Sequence, residues 1–571
     1  MKLYNKIIIL LSLCMAVTSC LDLAPQDQLA DGNLWKSAND FKYFANNFYG
    51  WTRDFTSSIN DAPHSDWRSD LMTSSSVNQY SHGNNPIPTS DGNYTSNYAH
   101  IRRTNILLQN ALTYAGSEPI SQYVAEAKFF RAYCYFDLVQ LYGNVIIVKE
   151  PVDINSSEMN AERNDRGEVI DFIIQDLEDA ANDLPVSVSS DDNGRLTKWA
   201  AYAFLSRVAL YEGTWQKFRN GDADRVKKLL DIAVSSSKRV IDSGSYQLFN
   251  PKALDDYAYK YLFTLENTQS NPANLTKSDN KEYIFYRRHD ETIAPIGTNI
   301  THGTLKNVMY INRKFVNMYL GSDGLPIDKS TKFKGYSTMT SEFDNRDNRM
   351  KNTLLANGVY YWANSSTDCR IDWKGMSGQD ALHATACDVR TGSGYQNQKW
   401  ATEREVKDTY EGYDYPIIRY AEVLLNYSEA LFERDGVISD DNLNISLNLV
   451  RCRINSDMPK LSNSFVNQYS LSMREEIRRE RTIELFDEGF RFDDLKRWKT
   501  AETEMPEDIL GIKWTGTEFA SKWGSASSMA KNSDGCLIME SGRSWDSKNY
   551  LYPIPADQLQ LNSRLGQNPG W

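Results

Sequence analysis

The chain has 571 residues, a net charge of −12, 41% apolar and 24% charged residues. That length is several times an ordinary domain and can bury a large core, and the composition is that of a folded globular protein. The mildly acidic, scattered charge argues against binding a phosphate backbone, so no nucleic-acid partner is expected. Tyr 33 and Trp 13 are the unusual counts; aromatic rings with a polar handle suit surfaces that stack on a ligand or meet a partner.

Residues 1–19 read as a secretory leader, with Lys2 and Lys6 before the apolar run Ile7 to Val17. The run is too short to span a bilayer. Val17-Thr18-Ser19-Cys20 resembles a bacterial lipoprotein box. The resemblance implies cleavage before Cys20 and acylation of that residue, palmitate-type chains anchoring the protein to the outer membrane. Residues 20–40 read as an extended tether, and Asp40 as the cap of a short helix from Phe41 to Tyr49.

Residues 51–97 form a first irregular block rich in Ser, Asn, Asp and Gly, interleaved with Trp51, Trp67, Tyr80, His82 and Tyr94. A loop this long with so many aromatics points to function rather than disorder. Apolar residues at helical intervals then predict helices over Tyr98 to Tyr114, Ser121 to Leu141, Arg166 to Leu184, a stretch capped by Thr197, Arg225 to Ile241 and, far downstream, Ile417 to Phe432. The pattern Ala127-x-x-Phe130-Arg131-Ala132 is echoed by Ala203-x-x-Ser206-Arg207-Val208-Ala209. Small residues that let helices approach, beside aromatics, are the signature of stacked TPR-like hairpins. A second irregular block, 245–415, reads as a separate ligand lobe holding Tyr286, Tyr360, Trp362 and Trp400 and a strand-like run at Tyr283 to Tyr286. A third, smaller block, 501–548, carries Trp514, Trp523 and Trp545. Cys369 and Cys387 could pair in an oxidising compartment.

Ile477 to Trp498, IRRERTIELFDEGFRFDDLKRW, reads as a helix, a break at Gly489 and a second short helix. Glu480, Glu484 and Glu488 fall on one face at i, i+4, i+8, with Arg478, Arg479, Arg481, Arg491 and Arg497 near enough to answer them. A glycosidase needs a carboxyl pair about 5–5.5 or 6.5–9.5 Å apart, one of them with a raised pKa. Nearby arginines would lower these pKa values, so the expected role is an ion-paired structural joint.

Several separated stretches resemble the SusD/RagB nutrient-uptake lipoproteins. They are the lipobox with Asp22 and Pro25; Tyr94-x-x-x-Tyr98-x-x-Ile101-x-x-x-Asn105; Ala125 to Tyr133; Arg419 to Ala430; Arg478 to Trp498; and the closing Pro553-Ile554-Pro555 and Gln567 to Gly570. Tyr94 and Ser428 depart from the commoner Trp and Ala. The resemblance implies a mainly α, TPR-like scaffold of about four helical hairpins with a large irregular ligand lobe. Its divisions would be an N-terminal domain over 41–244, the lobe over 245–415 and a C-terminal domain over 416–571. It implies a surface lipoprotein that caps a SusC-like TonB-dependent transporter and hands it oligosaccharides, or in some branches peptides, without being an enzyme.

No GxSxG, HExxH, GxxxxGK[ST] or zinc-type cysteine spacing occurs, so no cofactor or metal site is expected. Asp191-Asp192-Asn193 is a solvated turn before it is a calcium site. Sugar recognition needs flat rings against C–H faces and amide, carboxylate or guanidinium groups for the hydroxyls. On that basis the candidate ligand residues are Asp66, Trp67, Arg68, Tyr80 and Tyr94 in the first block and Tyr286, Tyr360, Trp362 and Trp400 in the second. A peptide carrier, a glycoside hydrolase and a purely structural surface protein are the rival readings.

Overall fold

The computed structural model describes residues 34–56, 61–153, 155–305, 309–356, 360–364, 367–370, 392–404, 406–407, 409–522 and 524–571. The leader, Cys20 and Cys387 lie outside them. The fold is mainly α. Its scaffold helices are α1 (Ala38–Asn46), α2 (Gly92–Ala111), α3 (Ser121–Tyr142), α4 (Arg166–Asp183), α5 (Lys198–Lys217), α6 (Ala223–Asp242), α7 (Tyr420–Asp435), α8 (Met473–Glu484) and α9 (Arg491–Arg497). Each from α2 to α7 packs on the next in TPR-like succession. α6 shows why: Leu229, Leu230, Ala233, Ser236, Ser237 and Val240 are buried, a single stripe at helical spacing. Gly213 of α5 sits beneath it, where a Cβ would lie 2.9 Å from a Leu230 methyl. Only glycine lets the two helices close to this distance.

The echoed arginines of the sequence do equivalent work. Arg131 of α3 forks onto Asp176 of α4 with two 2.8 Å bonds. Arg207 of α5 forks onto Glu422 of α7 with two of 2.6 Å. Each ties one helix to another through paired, largely buried charges.

Four antiparallel strand pairs complete the described fold: β1 (Met72–Ser74) with β3 (Met309–Ile311), β2 (Tyr283–Arg287) with β6 (Tyr415–Arg419), β4 (Tyr360–Asn364) with β5 (Thr367–Arg370), and β7 (Ile509–Lys513) with β8 (Cys536–Glu540). The β1–β3 and β2–β6 pairs stitch distant parts of the sequence together.

Three boundaries differ from the sequence reading. Asp40 is not the N-cap of α1. Ser37 is, its hydroxyl accepting from Asp40 N–H, and Asp40 returns a 2.8 Å bond from Ser37 N–H to close a capping box. α2 starts at Gly92, because the Asp91 side chain caps it, so Tyr94 belongs to the helix rather than to the loop. Ile417 lies on β6, not on α7: it is held by pairing of that segment with β2, and the helix begins at Tyr420.

Candidate functional site

A cavity of about 490 Å³ opens where five parts of the chain meet. They are the 51–56 segment after α1, the 62–67 loop, the first turns of α2, Gly303 and Thr304 with Met309, and the turn that follows α8. Its walls carry Trp51, Arg53, His64, Asn93, Asn97 and Tyr415 among others. Trp51 stacks on His100 of α2, with ring centroids 4.2 Å apart and planes within 10°. Burial, with Arg103 adding to it, holds the His100 imidazole below its ordinary pKa, so the stack is uncharged at neutral pH.

The turn after α8 forms the floor. Asp487 and Gly489 both have positive φ, +59° and +77°. A Cβ on Gly489 would stand 3.0 Å from the His64 carbonyl oxygen and 3.3 Å from Arg53 Nη1. Glycine therefore lets the floor meet both walls, and Arg53 Nη1 donates to the Gly489 carbonyl at 3.1 Å. Beside it, Asp66 Oδ2 accepts Asp487 N–H at 2.6 Å, and the Asp487 carboxylate accepts from Asn397 Nδ2 at 2.8 Å. Burial and then the neighbouring Asp487 charge push the Asp66 carboxyl up to about 8. Burial, opposed by Lys399, pushes Asp487 up to about 6.

His64 pins the wall to the scaffold. Its Nε2 faces Asp137 of α3 at 2.8 Å and its Nδ1 faces Asp493 of α9 at 2.5 Å. Burial would raise both aspartates, but His64 and Arg53, joined by Asn97 at Asp137 and Lys496 at Asp493, together outweigh it and both are lowered. Asn97 of α2 donates to the second Asp137 oxygen at 2.9 Å.

The family described as "SusD family" matches residues 259–571, over half of the chain. The chain belongs to the SusD family. A second family, described as "Starch-binding associating with outer membrane", matches residues 30–210. A SusD-like protein of Bacteroides ovatus is 22% identical over 459 residues, 78% of this chain and 73% of that protein. SusD-like protein P25 of Formosa agariphila is 28% identical over 175 residues, 30% of each. Among solved structures, a SusD-like protein of Bacteroides fragilis superposes with a TM-score of 0.71 at 22% identity, covering 96% of this chain and 100% of that one. A SusD-like carbohydrate binding protein of the same species gives 0.70 at 21% identity, covering 93% and 99%. The surface glycan-binding protein A of Bacteroides fluxus gives 0.60 at 20%, covering 94% and 100%.

In this SusD-family chain, the predicted ligand residues scatter. Asp66 and Trp67 line the cavity. Their neighbour Arg68 is buried, bonded to Asp61 and to the Tyr552 hydroxyl, with its guanidinium 3.7 Å over the Tyr80 ring. Tyr80 thus packs between Arg68 and Tyr552. Tyr94 is buried against Tyr98 and Tyr142. Trp400 is buried among Phe55, Phe263 and Tyr415, its indole N–H donating to the Asp487 carbonyl at 3.1 Å. Tyr286 lies outside the cavity, on two neighbouring clefts. Tyr360 and Trp362 fall on β4, whose side chains lie outside the described part of the structure, as do Trp523 and the side chain of Cys369. Trp51, Arg53, His64, Asn97, His100 and Asp487 were not among the candidate ligand residues, although Trp51 was one of the aromatics that marked the first block. The first four share the irregular block or its border with α2, but nothing in their spacing separates them from packing residues.

The glutamates of the signature are paired, with different partners from those the sequence suggested, and because α8 ends at Glu484 rather than at Gly489, Glu488 sits in the turn after it and not on a shared helical face. Glu480 meets Arg349 at 2.5 Å; Glu484 meets Arg349, Arg419 and Arg453 at 3.0, 2.7 and 2.9 Å; Glu488 meets Arg419 and Lys399 at 2.7 Å each. The local arginines point elsewhere: Arg481 to Asp494, Arg491 to Asp70, Arg497 to Glu429. Burial would raise Glu484, but Arg453, Arg419 and Arg349 bring it down to about 2. Glu480 departs from the expectation: burial outweighs Arg349 and its carboxyl is raised. The Asp191-Asp192 turn pairs through Asp192 with Lys42 at 2.7 Å. Among the described residues, no cluster of His, Cys, Asp and Glu could hold a metal ion, and no helix is long and apolar enough to cross a membrane.

Proposed function

We propose that this protein is a non-catalytic, lipid-anchored glycan-binding protein of the outer-membrane surface. It holds an oligosaccharide in the cavity between Trp51, Asp66 and Asn97 and delivers it to a SusC-like TonB-dependent barrel. The observation that carries the reading is the cavity itself, in a chain of the SusD family. At about 490 Å³ it has the size of a small-ligand site, and its walls mix aromatic rings with the amides of Asn93, Asn97 and Asn397. Amides and carboxylates serve sugar hydroxyls, and rings serve the C–H faces. The starch-binding, outer-membrane description of the family that matches residues 30–210 supports the ligand class and the location. So do the carbohydrate-binding and glycan-binding names of structural neighbours. A leader ending at Cys20 supports the anchor, and an anchored receptor above a transporter raises ligand concentration at its mouth.

The absence of bond cleavage rests on the two cavity carboxyls with raised pKa, Asp66 and Asp487. These are what a hydrolase would recruit. Asp66 spends one oxygen on the Asp487 N–H, and its other oxygen is fully buried without a partner. Asp66 therefore has no oxygen free for a scissile bond, which leaves Asp487 on the floor without the second carboxyl that hydrolysis needs. The signature glutamates are buried in ion pairs.

Calorimetric titration with a panel of oligosaccharides and peptides tests the reading, with product analysis after long incubation alongside. Saturable heats with at least one oligosaccharide and intact products are expected. Heats from peptides alone would move the ligand class, and cleaved products would overturn the non-catalytic assignment.

A further inference from the structure

Two further clefts lie beside the cavity, and Thr52 is common to the cavity and the first of them. The first, about 430 Å³, runs between the 191–195 turn, α1 and strand β2. The second, about 380 Å³, continues along β2 toward Lys277 and His289. They share Asn193, Tyr286 and Arg288, so these three residues stand at the junction of one longer groove.

The charges around the groove are mostly spent. Lys42 pairs with Asp192 at 2.7 Å, Arg195 with Glu126 at 2.5 Å, Arg287 with Asp54 at 2.7 Å and Lys277 with Asp414 at 2.8 Å. His289 also meets Asp54, at 2.8 Å. Of the acids at the rim, Asp290 is occupied by the N–H groups of Thr292 and Ile293 at 2.8 and 3.0 Å, and Asp191 is exposed.

Arg288 is different. It has no carboxylate partner among the described residues, yet it is held in place. Its stem lies flat across Gly194, where a Cβ would come within 2.6 Å of Arg288 Cδ, and Gly194 has φ +92°. Its Nη1 donates to the Asn193 carbonyl at 3.0 Å. The rest of the planar donor fork remains for a ligand, on a side chain whose freedom is already restricted. Asn193 is oriented as well: its Oδ1 accepts the Tyr286 hydroxyl at 2.7 Å, so its amide nitrogen is the end left to donate. A fixed guanidinium, an aimed amide N–H and a half-buried tyrosine at one junction form a constellation for an oxyanion carried on a ring.

We propose that this groove is a second binding site, taking the carboxylate or sulfate of an acidic sugar unit through Arg288 and Asn193, with Tyr286 bordering the ring. The proposal rests on the glycan reading only for the identity of the oxyanion's carrier. Its geometry is independent of the first cavity.

The test is titration of the full mature chain with an oligogalacturonate, a sulfated oligosaccharide and the matched neutral oligosaccharides, on wild type, Arg288→Gln and Ser96→Trp. Arg288 is exposed, so its replacement leaves the fold intact. The expected result is that Arg288→Gln weakens at least one anionic probe roughly tenfold or more, the loss of one charged hydrogen-bonding group, and leaves neutral probes unchanged. Which anionic probe is lost distinguishes carboxylate from sulfate. Ser96→Trp, which blocks the first cavity, is expected to spare the anionic probes. The proposal is overturned if neither anionic probe binds more tightly than its neutral match, or if Arg288→Gln changes nothing. Failure of neutral binding to the wild type would count against the first cavity alone.

Discussion

The body of α8 and the turn that follows it use the same chemistry to opposite ends. Glu484 is a fully buried carboxyl, and Asp487, three residues on in the same signature, is a part-buried one. Glu484 faces Arg349, Arg419 and Arg453 and is held down to about 2. Asp487 faces Asn397 and the Asp66 loop, with Lys399 as its main opposing charge, and is pushed up to about 6. Desolvation raises both; the number of cations within reach decides the net sign. The helix is thereby a fixed joint, while the turn presents a carboxyl of raised pKa and a glycine to the cavity.

The sharpest way to break this contrast is to remove the joint. Glu484→Ala would leave three buried arginines short of a partner and is expected to cost about 3–5 kcal/mol, as breaking a buried ion pair does. Chemical denaturation measures it. A stable Glu484→Ala protein that has merely lost its ligand would reverse the assignment and make the helix part of the binding site. Gly489→Ala comes next. It imposes a side chain on a positive φ and presses on His64 and Arg53, at about 1–3 kcal/mol, and should weaken glycan binding together with stability. If binding and melting were both untouched, the turn would not be the floor described.

The two carboxyl types should also respond to pH in opposite directions. Asp66 keeps its proton in the folded protein up to about pH 8 but releases it near 3.8 when unfolded. The stability this gives is fully present below pH 3.8 and is lost as pH rises through about 8. Asp66→Asn keeps an acceptor for the Asp487 N–H and cannot ionise, so its melting temperature should gain on the wild type between pH 5 and pH 8. A constant difference across that range would show that Asp66 is ionised in the folded state. Glu484 has the opposite sign, its contribution being present above pH 4.5 and lost as pH falls through about 2. The smallest effect marks the other end of the scale. Lys227 and Asp231 of α6 pair at 2.7 Å in full view of solvent, and Lys227→Ala should change stability by no more than about 0.5 kcal/mol.

How much of this was legible in the sequence follows from range. α6, whose buried stripe lies within twenty residues, could be read from periodicity, and so could the repeated arginines of α3 and α5. Ile417 could not, because its conformation is set by β2, more than a hundred residues earlier. The same limit governs the joint. The sequence offered the arginines adjacent to Glu480, Glu484 and Glu488, whereas folding brings Arg349, Arg419 and Arg453 from other elements. At the cavity, composition pointed to the 51–97 block, of which residues 51–56 and 62–67 and the first turns of α2 line it. It could not distinguish Trp67, which lines the cavity, from Trp400, which is buried among other rings, because both are tryptophans in polar loops. Which ring faces a cavity is decided by the packing of α2, α3 and α8 around it.

The most direct test of the central claim uses Ser96. It is exposed on the first turns of α2, at the edge of the cavity, and supports nothing in the core. Calorimetric titration of Ser96→Trp with the best-bound neutral oligosaccharide should show binding lost while the melting temperature stays within a degree or two of wild type, as expected for a surface substitution. Undiminished affinity in a protein of unchanged stability would place the glycan elsewhere and contradict the account.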